Sequence, residues 1–249
     1  TCALPIWGIN GKAAVHALKM DTLQLDTIFF TVKQDTTLMK LRAGVINGPK
    51  NPQFSFATTL TGEIRDRDAE LLVDYKNGKG ETGVLLGVNA RPLFEGHGKG
   101  NGIAFTLIPE NPIVAFQRFH FNENHNWIYL HKNMRVYANV DMWDEEGMGF
   151  RVHSVPGDTV SLQNIDVEIR RIRLQEITSV LPYFPEITGL FSLEAHYIQT
   201  EKDLQLSAEA SVDELTYERQ RIGDVALGAT WLPGDQGKQY LNAYLNHDQ

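Results

Sequence analysis

The feature that most restricts this chain is a rhythm of two: apolar and polar residues alternate along most of its length. "GVLLGVNAR" puts Val84, Leu86, Val88 and Ala90 on one side. "RVYANVDMW" does the same with Val136, Ala138, Val140 and Met142, and "NIDVEIRRI" with Ile165, Val167 and Ile169. "DLQLSAEASV" contributes Leu204, Leu206, Ala208, Ala210 and Val212, and "DVALGATW" contributes Val225, Leu227, Ala229 and Trp231. Successive side chains of an extended strand point to opposite faces, so each segment is apolar on one side. The other side carries Asn, Glu, Gln, Ser, Asp and Arg. This is the pattern of antiparallel strands with one wet face.

Turn signals punctuate the strands. "KNGKGE" (76–81) holds an Asn-Gly hairpin pair. "EGHGKGNG" (95–102), "PENP" (109–112), "NENHN" (122–126), "DEEGMG" (144–149), "VPGD" (155–158) and "LPGDQG" (232–237) read as further turns. At about ten to fourteen residues per strand and turn, the expectation is roughly 16–20 strands in a meander.

One stretch breaks the rhythm. Leu174, Ile177, Val180 and Leu181 recur at helical spacing and predict a short helix over 174–181. Pro182 ends it and Pro185 prevents a restart. Its N-terminal cap is weak, so packing of the apolar stripe is expected to hold it as a brace on a sheet edge. The expected organisation is a non-native start over 1–6, a meander over 7–172, the helix with its prolines over 173–186, and a resumed meander over 187–249. "ALPI" in the first six residues is what a common sequencing-adaptor stretch encodes, and the only cysteine, Cys2, lies there.

Few chemistries fit. The formal charge is −8 with no basic run, which speaks against nucleic acid. No apolar run reaches the roughly 20 residues of a membrane helix. His120, His125 and His131 straddle a predicted turn without a completing carboxylate, so no metal site is expected. The glycine-rich 95–102 segment leads into a strand, not the helix that a phosphate loop requires. Asp141, Asp144, Glu145 and Glu146 lack the order of a calcium loop and read as a solvated turn. No nucleophile elbow, zinc helix or catalytic cysteine is present, so no enzyme and no cofactor is expected. Trp127, Trp143, Trp231, Phe119 and Phe121 keep open a carbohydrate-binding sandwich. A third alternative, an outer-membrane barrel, fits poorly with the mid-chain helix.

Two architectures satisfy the alternation. A sandwich buries the apolar faces against a second sheet. An open, curled sheet leaves them lining a groove, and the many small or slender inward residues favour that form.

Residues 113–249 resemble the periplasmic region of the TamB family (translocation and assembly module) and its AsmA-like relatives. "FQRFHFNENHNWIYLHKNMRVYANVDM", "IRLQEITSVLPYFPEITGLFSLEAHY" and "VDELTYERQRIGDVALGATWLPGD", with its Ile222-Gly223-Asp224 phrase, carry the likeness. The resemblance implies an elongated, open half-pipe with an apolar inner groove, of which this chain is an internal segment. It implies an inner-membrane-anchored periplasmic bridge of two-membrane bacteria, active in outer-membrane protein assembly and phospholipid transport. Phospholipid is the expected partner along the groove, and an outer-membrane assembly barrel the expected partner of parts outside this segment. Val84, Leu86, Val88, Val136, Ala138, Val140, Val167, Ile169, Leu204, Leu206, Val225, Leu227 and Ala229 are the expected groove lining.

Overall fold

A computed structural model describes residues 8–21, 23–93, 101–158, 160–180, 184–234 and 238–248. The readings on residues 1–6, on most of the 95–102 turn and on Leu181 lie outside the described residues. The rest is nearly all strand: β1 (Asn10–Met20), β2 (Leu23–Gln34), β3 (Leu38–Asn47), β4 (Phe56–Arg65), β5 (Asp68–Asn77), β6 (Thr82–Leu93), β7 (Gly102–Val114), β8 (Gln117–Arg118), β9 (His120–His131), β10 (Val136–Trp143), β11 (Gly149–Ser154), β12 (Gln163–Arg173), α1 (Leu174–Ser179), β13 (Ile187–Gln199), β14 (Leu204–Tyr217), β15 (Gln220–Pro233) and β16 (Gln239–Asp248).

Hydrogen-bonded neighbours follow chain order, with the two-residue β8 set aside on β7. The order starts at β1 and ends at β16 without joining them, so the antiparallel meander is open and not a barrel. The expected all-β meander with one short helix is therefore the observed fold. No described helix is long and apolar enough to cross a membrane. The chain forms two compact units, Thr1–Pro92 with Phe105–Gln117, and Leu93–Ala104 with Arg118–Gln249.

Local chemistry explains the turns. Between β5 and β6, Asn77 Oδ1 accepts the N–H groups of Lys79 and Glu81, both at 3.0 Å. Gly80 supplies the positive φ of 83° that the reversal needs. After β11, the Asp158 carboxylate accepts N–H groups from Val160 and Ser161 and the Asn164 amide at 2.6 Å. Those bonds, Asn164's first, hold its carboxyl well below the usual range.

Two predicted turns are strand instead. "PENP" lies inside β7, with Pro112 fully buried. A proline fits a strand wherever the ladder does not need its N–H, a fact no local signal reports. "NENHN" lies inside β9 as a bulge: Asn126 faces Val140 and Phe121 faces Met142, so the four residues 122–125 stand opposite the single Asp141. Asn124 takes the left-handed φ of 62° there.

The helix is shorter than expected, and polar pairs help to hold it. It spans Leu174–Ser179, Val180 is its C-cap, and none of its residues is buried. Ile177 is 37% exposed. Leu174 and Val180 are half-buried, and the helix lies in contact with β13. Arg173 pairs with Glu176 at 3.0 Å and with Glu146, and Gln175 Oε1 accepts the Gly189 N–H on β13.

Glycines opposite aromatic rings let the polar face close up. An ideal Cβ on Gly44 would stand 2.8 Å from the Phe29 ring, and one on Gly228 would stand 2.1 Å from that of Tyr244. Gly149 is the tightest against backbone, with 2.1 Å to the Met142 carbonyl oxygen and 2.6 Å to the Trp143 ring. In the register these are the cross-strand pairs Phe29–Gly44, Gly228–Tyr244 and Trp143–Gly149. Two guanidinium groups approach the Trp143 ring, Arg151 at 5.6 Å and Arg170 at 5.2 Å from its centroid. Gly149→Ala should therefore destabilise the chain by about 1–3 kcal/mol, the usual range for overpacking. Denaturant titration reads this; an unchanged midpoint would mean that the β10–β11 pair yields without strain.

Candidate functional site: the one-sided apolar faces

The cross-strand registers assemble the alternating residues into rows. In the first unit, Ala13, Phe30, Ala43, Leu60, Val73 and Leu86 face one another across β1–β6. Val32, Leu41, Gly62, Leu71 and Val88 form a second row, and Val15, Ile28, Val45, Thr58, Tyr75 and Val84 a third. None of these residues is charged. The charges lie on the reverse face, where Lys33, Lys40, Glu63 and Glu70 fall in line, with Lys40 and Glu63 at 2.8 Å.

The second unit repeats the design. Its middle row is Val140, Val152, Val167, Ala195, Ala208, Ala229 and Ala243. One flank is Met142, Phe150, Ile169, Leu193, Ala210, Leu227 and Leu245. The other is Ser154, Ile165, Tyr197, Leu206, Trp231 and Leu241. From β13 to β16 the middle row is alanine throughout, and the flanking rows carry mostly larger side chains.

Among the described residues the main contacts of each strand are with its sheet neighbours, joined by α1 on β13 and β10 with β12. In the first unit Phe116 meets Tyr75 edge to face at 6.4 Å, and Tyr75 is buried there. Phe30 remains 44% exposed, Leu71 39% and Leu227 49%. In a two-layer sandwich such inward residues become fully buried.

All thirteen lining residues expected from the sequence fall on these faces. Val84, Leu86 and Val88 do so in the first unit; Val167, Ile169, Leu206, Val225, Leu227 and Ala229 do so by register in the second. Leu204 and Val136 follow by alternation along β14 and β10. Val140 and Ala138 share the face but not its openness, being 1% and 5% exposed. Phe119, Met142 and Met148 are buried as well. The rows of β1–β5 and β16 were missed, although β2–β5 carry the same alternation.

The aromatic platform does not form. Trp143 and Trp127 lie on the polar face, opposite Gly149 and Asn139, whereas Trp231 and Phe121 lie on the apolar face, opposite Leu206 and Met142. The Asp141–Glu146 segment is less solvated than expected. Asp144 is buried and its carboxylate accepts the N–H groups of Glu146 and Met148, closing the β10–β11 turn.

The polar face of the second unit gathers charge. Asp141, Arg151, Glu168, Glu194 and Glu209 stand in one register row. The three predicted histidines separate: His131 bonds Asn133 at 2.8 Å, and His120 is exposed. His125 instead meets Asp141 and His153, their ligand-type atoms all within 4.8 Å of one another. Burial raises the Asp141 carboxyl, but the Asn122 hydrogen bond at 2.5 Å and the Arg151 charge at 3.4 Å bring it net below its usual value. Burial, then the Arg151 charge, pushes the His153 imidazole down.

Compared with protein-family models, with curated proteins and with solved structures, the chain matches none.

Proposed function

We propose that this chain is a non-enzymatic segment of a TamB-like periplasmic bridge, and that its apolar faces carry phospholipid acyl chains between two membranes while the bridge also serves outer-membrane protein assembly. The observation behind this reading is the set of uncharged cross-strand rows, most of whose residues stay partly exposed. Each acyl CH₂ moved from water onto apolar surface gains about 0.8 kcal/mol. Equivalent rows on successive strands let a chain shift sideways at little cost, while its headgroup stays in water. Such a surface needs no deep pocket and no reacting group.

Photocrosslinking tests the reading. Probes replacing Leu86 and Leu206 should capture phospholipid in cells. Probes at Leu85 and Ser207, their neighbours on the reverse face, should not. Equal capture from both faces, or none from either, contradicts it.

A further inference from the structure

We infer that His125, Asp141 and His153 form a binding site for a zinc-class divalent cation on the polar face of the second unit. The three side chains come from three adjacent strands: the β9 bulge, β10 and β11. His125 Nδ1 stands 3.7 Å from Asp141 Oδ2, and the two imidazole rings meet edge to face at 5.6 Å. His125 Nδ1, His153 Nε2 and Asp141 Oδ1 are all buried without a hydrogen-bond partner. Buried polar atoms ordinarily have partners. A single cation supplies one to all three.

The donor set selects the ion. Two imidazoles and one carboxylate suit zinc and its transition-metal neighbours, whereas magnesium and calcium require shells of oxygen. Bonds of about 2.0–2.1 Å place tetrahedral ligands about 3.3 Å apart. Side-chain torsions close the cluster from its present spread of at most 4.8 Å. Arg151 lies 3.4 Å from Asp141 Oδ2, but it also pairs with Glu168 at 3.4 Å, so its charge is shared. Asn122 donates to the same Oδ2, leaving Oδ1 open to the ion. The fourth position is open to water. Bound there, the cation pins the bulge against the two following strands.

The test uses the whole chain. Zinc titrated calorimetrically should bind once per chain, with no competition from magnesium or calcium. His125→Gln and His153→Gln should each weaken binding by about 10- to 100-fold or more, while His131→Gln, outside the cluster, should leave it unchanged. Cobalt added to the unsubstituted chain should give the intense visible band of a tetrahedral nitrogen/oxygen site, a readout that does not depend on any variant folding. The inference is overturned if cobalt keeps its pale octahedral aqueous spectrum. It is equally overturned if His131→Gln weakens zinc as much as the other two substitutions.

Discussion

Val140→Glu should unfold the second unit. Val140 is 1% exposed, on a strand whose Ala138 and Met142 are also buried, and it faces Val152 across the ladder. A carboxylate placed there has no cation in register with it, because Arg151 and Arg170 stand on the reverse face. The group must be buried charged or be protonated, and the larger side chain must be fitted as well. A loss of about 3–5 kcal/mol follows, a large part of the 5–15 kcal/mol that a domain usually commands. Leu227→Glu provides the contrast. It changes a residue of the same face that is 49% exposed, where the carboxylate keeps its water, and should cost about 1 kcal/mol or less. Thermal or urea melting of the two variants separates a locally closed core from an open surface. Equal losses would remove that distinction.

Leu206→Lys should abolish most acyl-chain binding while leaving the fold intact. Leu206 lies between Tyr197 and Trp231 in an uncharged row and is only half-buried. In the free protein the ammonium reaches water along its flexible stem. Under a bound acyl chain it cannot, and the penalty at lipid-facing positions is about 2–4 kcal/mol. Affinity for a fluorescent lysophospholipid should therefore fall about 30- to 1000-fold. Ser207→Lys, one residue along and on the other face, should bind as before. If both substitutions weaken binding equally, the sidedness of the surface plays no part in it.

What the residues reveal depends on how far the deciding interaction lies along the chain. Val84, Leu86 and Val88 were assigned to one face because alternation is a property of the strand itself. The same alternation could not tell Val140 from Leu227. Val140 is 1% exposed and Leu227 49%, a difference set by what lies around each strand and not by its own pattern. Local preference makes turns of the prolines at 109 and 112 and the asparagines at 122–126, yet β7 and β9 run through them. Closeness in sequence groups His120, His125 and His131. The β10–β11 register, together with the β9 bulge, is what joins His125 to Asp141 and His153 and leaves His131 aside. The helix shows the same limit: its period was legible, but the Arg173–Glu146 pair across the turn was not.

The openness of the apolar faces can be measured directly by thiol reactivity. Cysteines would replace Ala43 in the first unit and Ala208 in the second, in a background with Cys2 changed to serine. Both should react with a small maleimide at rates comparable to a cysteine at Ser207 on the reverse face, and lysophospholipid should slow the first two but not the third. Strong protection of Ala43→Cys and Ala208→Cys in the absence of lipid, as in a packed core, would contradict an uncovered acyl-binding surface.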